Sequence, residues 1–220
     1  MKNEFSMLHM RKKLTINKME ITWHGNSCIS IEENKKTILI NPEAKMGNFN
    51  AQVVLSSLKE IPTDIEGVVK IFDCPGEYEV QNIHIFAYPA WVKSKSEENP
   101  DEKIDKTIIF IVKINGVNFC HLGALGHSLP SDTLKEIGDI DVLFIEMGDN
   151  TNLNLKKGIE LLENLDPRVI IPMGNYKKED FLKEYGLEKL DEVDSFSIKE
   201  KSNLPSDETK VVFLKNMSAK

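Results

Sequence analysis

The sequence predicts an α/β fold in which sheets are covered by helices in layers. Three observations predict it. The first half is a run of short alternating strand patterns. The second half alternates apolar strands with helical stretches. No solenoid-type repeat and no linker interrupts the 220 residues, which suffice to bury a sizeable core.

The strand patterns begin at Met19. Glu20-Ile21-Thr22-Trp23 and Cys28-Ile29-Ser30-Ile31-Glu32 alternate, and the turn-like His24-Gly25-Asn26-Ser27 between them suits a hairpin. Thr37 to Ile40 is a short apolar strand stopped by Asn41-Pro42, and Val53-Val54-Leu55 is another. Ile71-Phe72 leads into the turn Asp73-Cys74-Pro75-Gly76, then Tyr78 to Val80, and Ile83 to Tyr88 alternates again. Lys93 to Lys106 is polar and charged and reads as a solvated loop. Thr107 to Lys113 and Val117 to His121 form a hairpin pattern through Asn115-Gly116. Ser131 can cap a helix from Asp132 to Ile137, which Gly138 ends. Val142 to Ile145 is a buried strand. Leu155, Ile159 and Leu162 mark one face of an amphipathic helix that stops at Asp166-Pro167. Val169 to Ile171, a charged helix from Glu179 to Tyr185, and a closing strand from Val211 to Leu214 complete the pattern.

Composition narrows the function classes. Apolar residues make up 40% and charged residues 29%, as in a soluble globular protein. The net charge of -7 argues against nucleic acid as a partner, because phosphate binding needs cationic surface. Apolar runs such as Ile108 to Val112 fall far short of the about 20 residues of a membrane span. No secretion signal is visible. Three widely spaced cysteines, Cys28, Cys74 and Cys120, read as reduced thiols of a cytoplasmic protein. Residues 1–18 carry a net +4, against -11 for the remainder. They read as a disordered extension or as an upstream start with Met19 the true one. A basic arm touching an anionic partner is the sharper alternative. Residues 19–220 read as one domain.

Chemistry is less visible. The five histidines, His9, His24, His84, His121 and His127, include no H-x-H, H-x-x-H or H-x-x-x-H pair, and no C-x-x-C is present. Cys120-His121-Leu122-Gly123-Ala124-Leu125-Gly126-His127 follows a strand and precedes a helix, where loops often carry catalytic groups. Its plainer reading is a turn whose His121 satisfies a buried hydrogen bond. Asp73 to Glu79 offers carboxylates and a thiol beside a turn, and Cys74 would need a nearby base such as His121 to act as a nucleophile. The candidate catalytic residues are therefore His121, Cys74, Glu77 and His127.

Several stretches together resemble a known family. Trp23-His24-Gly25-Asn26-Ser27-Cys28, followed by Ile38-Leu39-Ile40-Asn41-Pro42, is similar to the opening of the metallo-β-lactamase superfamily, in its UlaG-like branch of small bacterial zinc-dependent hydrolases. Asp73 to Val80, Cys120 to Gly126, Asp132 to Gly148, Val169 to Met173 and the tail from Asn203 to Val212 agree in order and spacing. The resemblance covers about Met19 to Leu214. It implies a four-layer αββα sandwich with the active site at one edge between two sheets.

The resemblance also implies metal ligands, and these positions differ. The H-x-H-x-D-H loop reads Leu58-Lys59-Glu60-Ile61-Pro62-Thr63. The next ligand position falls at about Val92, the bridging aspartate on Ala124 and the last histidine on Gly174. Asn26 and Asn41 stand where the branch has His and Asp. His121 is retained, as a neighbour of the bridging position. The leading expectation is accordingly a chain without a zinc site or any other cofactor, with lost hydrolase activity, leaning away from an enzyme. It would bind or scaffold a protein partner or a second copy of itself, without nucleic acid or membrane. The alternative is a metal-dependent hydrolase with a rebuilt site around His121. A third reading keeps the pocket as a ligand cleft under the Lys93 to Lys106 loop.

Overall fold

The structure is a computed structural model that describes residues 18–44, 48–92, 105–149 and 151–217. The basic segment 1–17 and the polar stretch 93–104 lie outside the described residues. Strands come first: β1 (Met19–Trp23), β2 (Ile29–Glu33), β3 (Lys36–Ile40), β4 (Val53–Leu55) and β5 (Lys70–Phe72). A meander follows: β6 (Gly76–Val80), β7 (Ile83–Trp91), β8 (Lys106–Ile114) and β9 (Val117–His121). Helix and strand then alternate through α1 (Ser131–Ile137), β10 (Val142–Glu146), α2 (Leu155–Leu165), β11 (Val169–Met173) and α3 (Lys178–Glu184). Four short strands close the chain: β12 (Glu192–Val193), β13 (Phe196–Ile198), β14 (Lys210–Val211) and β15 (Phe213–Leu214).

These strands build two large sheets, ordered β13-β1-β2-β3-β4-β5 and β14-β11-β10-β9-β8-β7-β6. Tight hairpins set the antiparallel registers. Asn34-Lys35, Gln81-Asn82 and Asn115-Gly116 all have positive φ at both positions, the geometry of a type I′ turn. Only the third was visible in the sequence pattern. The pair β12–β15 and the edge strand β13 had no such signal. The closing strand read from Val211 to Leu214 is divided in two, because β14 pairs with β11 while β15 pairs with β12.

The sheets face each other across one apolar core. Ile21, Ile31, Ile40 and Leu55 from the first sheet meet Ile85, Phe110, Phe119, Phe144 and Ile171 from the second. Side chains of a strand alternate between faces, so the intervening residues of the second sheet point outward. There Ile109, Ile111, Cys120, Leu143 and Ile170 are covered by Ile137 of α1, Ile159 and Leu162 of α2 and Phe181 of α3. This is the α/β sandwich the sequence predicts. On the outer face of the first sheet, no helix is found among the described residues. Loop residues Phe49, Ile61, Ile65 and Val68 pack there on Cys28, Leu39 and Val54.

The helix ends follow local chemistry. The Asn154 side chain accepts from the Lys157 amide and caps α2. Asp166 ends that helix in the left-handed region, at φ 42°. Ser131 does not cap α1 as its sequence suggests. It is the first helical residue, behind Pro130, which offers no side-chain cap.

Asp141, fully buried at the start of β10, ties the strands together at one end. Its Oδ2 accepts from the Asn118 amide at 2.8 Å and lies 2.9 Å from Lys201 Nζ. Its Oδ1 pairs with Arg168 Nε at 3.3 Å, an ion pair without hydrogen-bond alignment. Removing the carboxylate strands an amide and two cations at once. Asp141→Ala is therefore expected to cost about 3 kcal/mol in urea unfolding, against under about 1 for an ordinary surface substitution.

Candidate functional site

At the opposite end, the parallel strands β9, β10 and β11 finish together. Ligand crevices of α/β sheets form outside such carboxyl ends. A cavity of about 480 Å³ opens there. The β1–β2 turn supplies Asn26 and Ser27, and the loop after β3 supplies Glu43. Leu58 comes from the loop after β4 and Ala124 from the turn after β9. The second sheet adds Glu146, Asp149, Thr151, Gly174 and Asn175.

His121 holds the cavity wall together. It is the last residue of β9 and continues the inward row of Val117 and Phe119, which leaves it 1% exposed. Its Nδ1 accepts from the Gly123 amide at 3.0 Å. The other nitrogen, Nε2, therefore carries the proton and donates to the Ser27 carbonyl at 2.8 Å. This bond crosses from one sheet to the other. Burial pushes the imidazole pKa down to about 4, against the partial opposition of the Ser27 bond. A neutral ring with both nitrogens satisfied is a positioning group, not a free base.

A polar network extends from that bond. Asn41, fully buried with φ 50°, donates to Ser57 Oγ at 3.0 Å and to Ser27 Oγ at 3.3 Å. Its Oδ1 accepts from the Ser57 amide at 2.8 Å. The turn after His121 needs glycine at 123. A Cβ there would lie 2.5 Å from the Ile108 carbonyl and 2.4 Å from Thr107 Oγ1, which accepts from the Ala124 amide.

Glu146 ends β10 on the inward row of Val142 and Phe144. Its Cγ lies against Gly174, where a Cβ would approach it to 3.3 Å and the Met147 carbonyl to 2.4 Å. Burial, then the charge of Glu43, pushes its pKa up to about 7. Glu43 is held by Asn26 Nδ2, 3.2 and 3.0 Å from its two oxygens.

Three of the four sequence candidates lie apart from this cavity. Cys74 is exposed, and its hydrogen bond to Asp73 raises its pKa, so the thiol stays protonated. Glu77 is exposed on β6, separated from β9 by β7 and β8. His127 Nδ1 donates to the Ser128 carbonyl at 2.6 Å and lines a separate hollow against α2. Only His121 meets the cavity wall. Glu43 and Glu146 were not singled out from the sequence. The signal for Glu146 was the alternation of β10, which puts position 146 on the core face.

Ala124, Leu58 and Gly174, which stand at ligand positions of the resemblance, do reach the cavity, but none can bind a metal through its side chain. Among the described residues no three His, Cys, Asp or Glu are grouped to hold an ion. Among the described residues the cavity lining offers carboxylate oxygens and no imidazole or thiolate. These residues do not fit a zinc ion.

A family model described as a beta-lactamase superfamily domain matches residues 20–174. A Thermotoga maritima structure, named as a candidate Zn-dependent hydrolase of the metallo-beta-lactamase superfamily, is 30% identical. It superimposes with a TM-score of 0.73 over 89% of this chain and 98% of its own. The chain belongs to the metallo-β-lactamase superfamily. Its relatives include UPF0173 metal-dependent hydrolases. That of Carboxydothermus hydrogenoformans is 29% identical over 44% of this chain and 43% of its own length. That of Archaeoglobus fulgidus is 24% identical over 70% and 82%. The chain spans about half the length of the first relatives it matches, 43% and 57% for those of Carboxydothermus hydrogenoformans and Pyrococcus abyssi.

These relatives correct the functional expectation. A chain with lost activity, leaning away from an enzyme, is overturned by superfamily members named as hydrolases. Their names also imply a metal, so an expectation of no cofactor has no support from them. Replaced ligand side chains do not decide the activity, because the cavity still holds the carboxylates Glu43, Glu146 and Asp149.

Two measurements check the electrostatics. His121 loses stability for the fold as pH falls from 6.5 toward 4, because only the unfolded chain binds the proton there. In ¹⁵N NMR its ring is expected to stay neutral and Nε2-protonated from pH 8 to about 5. For Glu146 the sign is opposite. The fold holds the carboxyl proton up to about pH 7 while the unfolded chain releases it near 4.5, so stability falls across that window as pH rises. Glu146→Gln is expected to gain about 3 kcal/mol on the parent between pH 4 and pH 8 in urea titrations.

Proposed function

We propose that this superfamily member hydrolyses a small neutral or cationic molecule in the cavity at the carboxyl ends of β9, β10 and β11. The observation that carries the reading is the cavity itself. It lies between the two sheets, and its wall is fixed by the His121–Ser27 bond and the Asn41–Ser57 network. Rigid placement of polar groups is what hydrolysis asks of a site. The names of the relatives support the same reaction class. Among the described residues the cavity lining includes Glu43, Glu146 and Asp149 but no lysine, arginine or histidine, which disfavours a phosphate. The free thiols Cys28, Cys74 and Cys120 fit a reducing compartment, and we assign the reaction to the cytoplasm.

A panel of esters, lactones, amides and phosphodiesters tests it, run on untagged protein after chelation and again with zinc or manganese added. Turnover of an uncharged or cationic acyl compound is expected. Ala124→Trp, which fills the cavity from a half-buried turn, is expected to abolish it while thermal unfolding stays cooperative. Turnover confined to phosphodiesters, or unaffected by the tryptophan, would overturn the reading.

A further inference from the structure

We propose that Glu146 is the acid–base residue of this cavity, taking a proton from the attacking water and passing it to the leaving group. The proposal rests on the hydrolase reading above. Its geometry comes from the strand. Alternation along β10 sends Val142, Phe144 and then Glu146 between the sheets, but at Glu146 the sandwich has opened into the cavity. The half-buried carboxyl residue therefore lines a water-accessible space. Among the described residues no side-chain hydrogen bond to it is found, and it lines the open cavity.

The charges around it favour a shared proton. Glu43 faces it from the loop after β3, kept in place by Asn26, and Asp149 lines the same cavity from the loop after β10. At the end of β9, His121 packs beside Phe144 and is neutral, and beyond β11 Gly174 and Asn175 carry no charge. Two carboxylates in one site push their proton affinities apart. Burial singles out Glu146 as the one that holds its proton to near neutrality. Such a group is poised both to accept and to donate at pH 7.

The reaction balances without another reagent. The oxygen of water forms a bond to the scissile carbon while one water proton passes to the Glu146 carboxylate. The bond from that carbon to the leaving oxygen or nitrogen then breaks. The leaving atom keeps the electron pair and takes the proton from Glu146, which returns to its starting state.

The experiment uses the full chain and the best substrate from the panel. Turnover against pH is measured for the parent, Glu146→Gln, Glu146→Asp and Glu43→Gln, and circular dichroism confirms each fold. Glu146→Gln should lower kcat at least about 100-fold and remove the acidic limb of the profile. Glu146→Asp should recover part of the rate. Glu43→Gln should move the acidic limb to lower pH, since it removes the like charge. In parallel, ¹³C-glutamate NMR should show one carboxyl with a midpoint near 7 that vanishes in Glu146→Gln. Unchanged kcat in Glu146→Gln would overturn the proposal and leave the hydrolase reading standing. A Glu146 carboxyl ionised throughout pH 5 to 8 would overturn it as well. Absence of turnover by the parent across the whole panel would remove the hydrolase reading and this proposal with it.

Discussion

The hydrogen bond from His121 Nε2 to the Ser27 carbonyl joins the two sheets by buried polar chemistry. The core between them is apolar and indifferent to small slides, and the other polar links, such as Asn115 to Glu33 and Lys36 to the Gln81 carbonyl, are exposed. A buried hydrogen bond has a direction, and leaving it unmade costs the full desolvation of both partners. It therefore fixes how the β1–β2 turn sits over the end of β9. Asn41 and Ser57 extend the same constraint to the loops after β3 and β4. The cavity owes its shape to these contacts, and its lining residues could not keep their mutual distances without them.

The same end of the sandwich explains how an inward-facing carboxylate is tolerated. A strand cannot change which face a residue takes without a bulge or a break. Position 146 must point between the sheets, where an apolar residue would normally sit. The sheets part at that level, so the group is only partly stripped of water. Its proton affinity rises without the much larger penalty of full burial.

Much of the fold was legible because its signals are local. Leu155, Ile159 and Leu162 mark α2 within two turns, and Asn115-Gly116 announces its hairpin in two residues. Asn34-Lys35 and Gln81-Asn82 make the same turn with residue types that carry a weaker signature. The β13 strand was not legible, since Phe196 owes its place to pairing with Ile21, far away in sequence. The superfamily resemblance rested on many short stretches in the right order, and the structure supports it. The site was harder. Asn41 looks like an ordinary strand-ending turn residue, and its network with Ser27 and Ser57 exists only once two loops converge. Glu146 follows the apolar run from Val142 to Ile145, and its charge hides that the strand continues through it. The alternation of Val142 and Phe144 extends to it and places it inward.

The unequal outer layers have a consequence for motion. The seven-stranded sheet is backed by three helices, but the six-stranded sheet is backed among the described residues by loop side chains such as Ile61, Ile65 and Val68. Local opening costs least where few apolar contacts are lost. The loop layer can lift from Cys28, Leu39 and Val54 while the helical side stays closed. Because the same loop carries Leu58 into the cavity, breathing of this thin wall is coupled to access at the mouth. One half of the molecule then behaves as a stiff anvil and the other as a hinged cover.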